Sequence, residues 1–290
     1  MEKSAGGAPF DRYVSVSNKI LVDDLDWAEA RRVGLSENEV FILTYFSDIE
    51  SQTVFYLRDL LHTRAANEPE VLGFLTMWNY EEFFHGRALA RLLAECGHPL
   101  EEGRISRVRR RSQFSEVLEA LGANLISKLF SKQFPSVYMS WGATQEITTL
   151  RGYEQLGRST HNPVLGEICE RIAKQERRHF AWYFNGARAR LEQSSVARRL
   201  TRTLLGRFWS PVGAGVKPRA EVVRMMGLLF PGRSGDDVAA EIDATISRLP
   251  GLEGIRLMQP YLRMVTRELA SSTPAAALST TSGEGSPAAQ

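Results

Sequence analysis

Glu82-Phe83-Phe84-His85 and Glu176-Arg177-Arg178-His179 are two E-x-x-H tetrads in one chain. Each has a glutamate about one helical hairpin upstream, Glu50 for the first and Glu146 for the second. Residues three apart project to the same side of a helix, so each tetrad can offer an oxygen and a nitrogen to one ion. A lone E-x-x-H is common on helix surfaces. Two of them, each matched to an upstream glutamate, form a pattern that can be tested against helix geometry.

A helix rises ~1.5 Å per residue. From Glu50 the chain can run helical for thirteen residues to Thr63, turn through Arg64-Ala65-Ala66, and return over fifteen residues from Asn67 to Glu82. In the second half Glu146 to Ser159 is thirteen residues, the turn is Thr160-His161-Asn162, and Pro163 to Glu176 is again thirteen. Climbs and descents of roughly 20 Å bring both carboxylates of each hairpin to one height. Two such hairpins can face each other across one site. The spacing therefore predicts an all-α, ferritin-like four-helix bundle. Four carboxylates and two imidazoles from its facing helices are the ligand set of a di-iron centre. The candidate ligands are Glu50, Glu82, His85, Glu146, Glu176 and His179. This oxygen-rich set with two imidazoles suits two iron ions, or manganese, better than zinc.

The helical faces agree. The stripe through Glu50 reads Leu43, Phe46, Ser47, Glu50, Thr53, Val54, Leu57, Leu61, and the one through Glu82 reads Leu75, Trp78, Asn79, Glu82, His85, Gly86, Leu89, Leu93. These are mostly apolar faces at helical spacing. An ionised carboxylate buried there needs a partner or a metal. Asp48 and Gln175 are candidates to orient the ligand imidazoles from behind. Glu81 reads as a supporting or surface acid. Trp78, Phe46, Phe84 and Met139 fit either core packing or the lining of a substrate channel. His62, His98 and His161 fall at helix ends or turns and are not expected to be ligands.

The length of 290 residues suits one large domain or two small ones. No apolar run approaches a membrane span and no signal pattern opens the chain, so cytoplasmic residence is the expectation. The two cysteines, Cys96 and Cys169, match no CxxC pattern and cannot hold an iron–sulfur cluster alone. Without a G-x-G-x-x-G or P-loop, a nucleotide or flavin is not indicated, so electrons for an oxidase would come from another protein. Net charge is only +2, yet Arg104, Arg107, Arg109, Arg110 and Arg111 cluster, as do Arg188, Arg190, Arg198, Arg199, Arg202 and Arg207. These stretches fit either solvated faces or a landing patch for an acidic partner. No nucleic-acid-binding pattern accompanies them.

Along the chain, residues 1–35 read as an irregular lead-in with a short helix near Asp24 to Arg32. Ser36-Glu37-Asn38-Glu39 is a capping box that should open the first long helix. Asn67 is expected to cap the second helix with Pro69 in its first turn, and Gly97 with Pro99 to stop it. A crossover over 98–113 and a helix from Gln113 to Leu129 should precede core helices beginning after Pro135 and at Asn162-Pro163. The bundle spans 36–195. A helical extension over 196–270, of two or three helices broken by Pro211, Pro218, Pro231 and Pro250, belongs to the same domain. The Ser-, Thr-, Ala- and Gly-rich end, 271–290, reads as disordered.

Trp78-Asn79-Tyr80-Glu81-Glu82-Phe83-Phe84-His85-Gly86 resembles the W-x-x-E-E-x-x-H-G segment of the soluble acyl-acyl-carrier-protein desaturases. Gln145-Glu146-Ile147-Thr148-Thr149 resembles their Q-E-x-x-T segment. Ile168-Cys169, Ile172-Ala173, Glu176, Arg178, His179 and Tyr183 resemble their fourth ligand helix. The resemblance covers about residues 40–215. It implies that Glu82 and Glu176 bridge two irons, that Glu50 and Glu146 are terminal ligands, and that His85 and His179 complete the two spheres. It also implies a catalytic role for Thr149, a ferredoxin-like electron donor, an acyl carrier protein as partner, and a homodimer. Gln175 departs from the pattern: the plant members carry an acid there, associated with electron entry.

Together these readings predict a dioxygen-dependent oxidoreductase that desaturates an acyl chain held on acyl carrier protein, with Arg104 to Arg111 as the candidate dock. Hydroxylation or N-oxygenation of a small or carrier-bound substrate keeps the same site. A ferritin-type iron oxidase and a non-catalytic scaffold are the readings from other classes.

Overall fold

Every regular element among the residues described by the computed structural model, 7–61, 68–108 and 132–272, is helical. Two long hairpins make the bundle. The first is α3 (Glu37–Leu60) with α4 (Pro69–Glu95). The second is α5 (Phe134–Ser159) with α6 (Pro163–Gln193). Each pair packs along its length, and the hairpins meet where α4 lies on α6. Leu43, Phe74, Leu75, Leu89, Leu92, Leu165, Ile168 and Ile172 fill the shared core and are fully buried.

Local chemistry sets the helix ends. The capping box forms: the Ser36 backbone N–H donates to the Glu39 carboxylate at 2.7 Å, and the Glu39 N–H donates to Ser36 Oγ at 3.3 Å. Asn162 Oδ1 accepts from the N–H groups of Val164 and Leu165 at the start of α6, ahead of which only Pro163 intervenes. At the end of α4, His98 N–H reaches the Leu93 carbonyl and Gly97 N–H the Ala94 carbonyl. This Schellman closure requires the left-handed φ of 85° that Gly97 supplies.

Several boundaries differ from the sequence reading. The N-cap of α4 is Glu68, which makes no side-chain cap bond. Asn67 and the 64–66 turn lie outside the described residues, as do residues 109–113 of the crossover and the helix expected over Gln113 to Leu129. Residues before 36 hold two helices rather than one, α1 (Gly7–Val16) and α2 (Trp27–Val33). The extension holds α7 (Ser195–Phe208), α8 (Arg219–Leu229), α9 (Gly232–Ile246) and α10 (Met258–Ser272), so four helices stand where two or three were expected. The breaks do fall at the prolines. The start of α10 is capped from a distance: buried Asp243 accepts from the N–H groups of Leu257, Met258 and Gln259. Helix α10 runs to Ser272, two residues into the stretch read as disordered, and 273–290 lie outside the described residues.

Asp48 of α3 does not support an imidazole, as the sequence had suggested. Its buried carboxylate takes Arg104 Nε at 2.7 Å, Arg104 Nη2 at 2.9 Å and Lys217 Nζ at 2.6 Å. Asp48 thereby pins the start of the crossover and the loop before α8 onto α3, two residues from Glu50. Lys217 is only 6% exposed and its other ion pair, with Glu221 at 3.3 Å, is longer and more solvated, so it depends on Asp48 more than the partly solvated Arg104 does. Asp48→Ala should therefore lower stability by about 3 kcal/mol or more, the cost of stranding a buried charge. Denaturant unfolding measures it; a loss below about 1 kcal/mol, the range of surface ion pairs, would rule out the clamp.

Candidate metal centre

The six candidate ligands converge at mid-height of the bundle. Two quartets form, each with ligand atoms within 4.8 Å of one another: Glu50, Glu82, His85 and Glu176, and Glu82, Glu146, Glu176 and His179. Glu82 and Glu176 belong to both. All six side chains are buried. Helix α3 brings Glu50, α4 brings Glu82 and His85, α5 brings Glu146, and α6 brings Glu176 and His179. Helices α3 and α4 approach closely because Gly86 follows His85: a Cβ there would lie 3.2 Å from Glu50 Cβ and 2.9 Å from Ser51 Oγ. The two imidazole centroids are 6.1 Å apart across the cluster.

Each imidazole uses its outer nitrogen to contact a support and turns the inner one toward the carboxylates. His85 Nε2 lies 2.7 Å from Gln175 Oε1. Gln175 Nε2 donates to the Asn18 carbonyl at 2.9 Å, which fixes the amide orientation and makes Oε1 the acceptor. His85 Nε2 therefore carries a proton, and Nδ1, the atom for which protons and cations compete, faces Glu176 at 3.3 Å and Glu82 at 3.5 Å. His179 Nε2 lies 2.8 Å from Glu81 Oε2, and its Nδ1 faces Glu82 at 3.0 Å, Glu176 at 3.3 Å and Glu146 at 3.5 Å. The supports cross between halves: the residue before each shared glutamate backs the histidine of the other helix.

Two aromatic donors steady the terminal carboxylates. Tyr153 OH donates to Glu50 Oε1 at 2.6 Å, and Trp78 Nε1 donates to Glu146 Oε1 at 3.1 Å. Burial, and then the charge of Glu50, raise the Tyr153 pKa well above the ordinary phenol value, so it stays a donor. Its ring stacks on Phe46 with centroids 4.4 Å apart, joining α5 to α3.

The donor set fits divalent cations. His85 Nδ1 and Glu176 Oε1 are both buried, face each other, and have no hydrogen-bond partner. A lone pair aimed at a carboxylate oxygen is repulsive unless a positive charge lies between them. An ion in each quartet, held by three carboxylates, two of them shared, and one imidazole, would supply that charge. Among the protein's own groups, protons compete for the same atoms. Burial, followed by the Glu82 charge, raises Glu50 well above its ordinary value. Burial and the Glu176 charge raise Glu146, although His179 opposes this. Burial would lower His85, but the Glu176 and Glu82 carboxylates outweigh it and push the imidazole up to about 10. Burial likewise opposes a charge on His179, and the oxygens of Tyr13, Glu146, Glu176 and Glu81 raise it.

Thr149 is half-buried on α5, three residues beyond Glu146. The hydroxyl that bonds back to the helix is that of Thr148, on the Thr144 carbonyl at 2.8 Å. The Thr149 hydroxyl has no hydrogen-bond partner among the described residues. Phe84 is on the outer side of α4, packed edge-on to Tyr80 and Phe83, and does not line the centre. His98 and His161 are exposed and remote from it, and His62 lies outside the described residues.

Sequence reading missed the N-terminal contribution. Tyr13 OH donates to Glu81 Oε2 at 2.8 Å, and Asn18 touches both Glu81 and Gln175. No local pattern announces such contacts, which bridge more than sixty residues of chain. The supporting roles of Glu81 and Gln175 did carry a signal, since each immediately precedes a shared glutamate. Arg104 and Arg107 of the expected dock are occupied by ion pairs, with Asp48 and Glu101 respectively; Arg109, Arg110 and Arg111 lie outside the described residues. No helix among the described residues is long and apolar enough to cross a membrane. Comparison of the chain with family models, curated proteins and solved structures found no match.

Because cations displace protons from Glu50, Glu146, His85 and His179, binding should release protons and tighten as pH rises. Calorimetry in buffers of different ionisation enthalpy reads the proton count, and affinity that is flat with pH would contradict the competition. Glu176→Ala should weaken both ion positions, whereas Glu50→Ala should weaken one.

Proposed function

We propose that this chain is a di-iron, dioxygen-dependent oxidoreductase, and that its substrate is an acyl chain carried as a thioester on acyl carrier protein. The observation that carries the metal reading is the pair of buried quartets sharing Glu82 and Glu176. Oxygen-rich coordination with one imidazole per quartet favours iron or manganese. The W-x-x-E-E-x-x-H-G resemblance over Trp78 to Gly86 supports desaturation.

Bound iron would supply the two-electron chemistry with dioxygen, replenished by an external ferredoxin-like donor. The chain's own residues do the rest. Glu82 and Glu176, common to both quartets, would hold both ions, Glu50 and Glu146 would each hold one, and Tyr153 and Trp78 keep those end carboxylates in place. Gln175 and Glu81 keep each imidazole's inner nitrogen turned toward the centre. The apolar core to which Phe74, Leu75, Leu89, Ile147 and Ile172 belong keeps water out of the bundle interior. Thr149 holds a proton on an uncommitted hydroxyl one turn from Glu146. An acidic carrier needs a basic face, and the exposed Arg199 and Arg207 of α7 offer one.

Intact-mass analysis of acyl-carrier-protein thioesters, incubated with iron-loaded protein, oxygen and reduced ferredoxin, tests the reaction. A loss of two hydrogens that disappears in Glu176→Ala is expected. A gain of one oxygen would move the chain to the hydroxylases, and unchanged thioesters with two irons bound would reject an acyl substrate. Reversing Arg199 and Arg207 to glutamate should raise KM several-fold with kcat retained; an unaltered KM would reject α7 as the dock.

A further inference from the structure

The two ligand quartets match in composition. Each has three carboxylates and one imidazole, with Glu82 and Glu176 common to both. Each end carboxylate also receives one neutral donor, Tyr153 on Glu50 and Trp78 on Glu146. The halves differ in what stands behind the imidazoles: the carboxylate of Glu81 behind His179, and the carboxamide of Gln175 behind His85.

One residue of the N-terminal segment matches this difference. The Asn18 backbone N–H donates to Glu81 Oε1 at 3.1 Å, and the Asn18 carbonyl accepts from Gln175 Nε2 at 2.9 Å. The N–H requires an acceptor at position 81. The carbonyl requires a donor at 175, where an ionised carboxylate would meet it with no proton between. Tyr13 OH and Arg178 Nη2, each 2.8 Å from the Glu81 carboxylate, complete its shell, and Arg178 supplies the counter-charge. The segment from Tyr13 to Asn18 is thus a strap whose polarity suits an acid on one side and an amide on the other.

A carboxylate accepting the outer N–H of an imidazole makes the inner nitrogen a stronger metal donor than an amide oxygen does. We infer that the two ion positions are unequal, and that the one served by His179 takes the first divalent cation because Glu81, seated by the strap, stands behind it. Glu81, Tyr13 and Asn18 are positioning residues that act through His179. This rests on the two-ion reading proposed above.

Anaerobic titration of the full chain with cobalt(II), followed by visible absorption and calorimetry, tests it. Two events of one ion each are expected, about 10–100-fold apart in affinity, the range over which outer partners of metal-bound histidines act. His179→Ala should abolish the tighter event and His85→Ala the weaker one. Glu81→Gln should weaken the tighter event and leave the weaker in place, so that the two merge. The histidine variants assign the events even if Glu81→Gln disturbs the strap. Equal events, loss of the tighter event in His85→Ala, or an unaltered gap in a folded Glu81→Gln protein would each overturn the inequality while leaving the two-ion reading intact. Failure to bind cobalt at all would overturn both.

Discussion

Repulsion among four carboxylates inside an apolar bundle is the constraint on which the rest of this structure depends. Two unit charges about 4 Å apart interact by about 4 kcal/mol at an effective dielectric near 20. The cluster of Glu50, Glu82, Glu146 and Glu176 contains several such pairs. It persists only with positive charge or protons among its oxygens and with donors aimed at them. Four rigid helices therefore have to present their side chains at one height, and the inward-facing imidazoles stand where that charge is needed.

Keeping the geometry fixed is the task of groups one layer further out. Tyr153 and Trp78 each tie an end carboxylate to the opposite hairpin, so the two halves are joined through the site itself. Glu81 and Gln175 do the same for the imidazoles. Burial raises the Tyr13 pKa and keeps that phenol a donor; against the effect of burial, the bond and charge of His179, and then the Tyr13 bond, hold Glu81 down at about 2. Segments at both ends of the chain brace the bundle: α1 packs on α4, while α7, α8 and α9 pack on α5. The Asp48 clamp secures the crossover and the loop before α8 close to Glu50.

Helix periodicity and hairpin arithmetic made the bundle legible because both depend on local geometry. The convergence of the six candidate side chains followed from the same arithmetic: equal climbs fix height, and i, i+3 spacing fixes direction. Less local features were not legible. Asp48 looked like a support for an imidazole from its place beside Glu50, yet its charge is taken by Arg104 and Lys217, which come from remote parts of the chain. The lead-in looked irregular because its ten-residue α1 is short for a helix to hold by itself, and its stability comes from packing on α4.

By itself, the sequence determined the four long helices, their two hairpins and the side chains that meet at the centre. Those outcomes follow from spacing along single helices and from turns between neighbours. Tertiary structure alone decided what stands behind the clustered side chains: Tyr13 and Asn18 on Glu81 and Gln175, Tyr153 on Glu50, Trp78 on Glu146. These hydrogen bonds join segments far apart in the chain, where no period or motif relates one partner to the other. Their geometry exists only once the helices have packed and water has been excluded from the bonds.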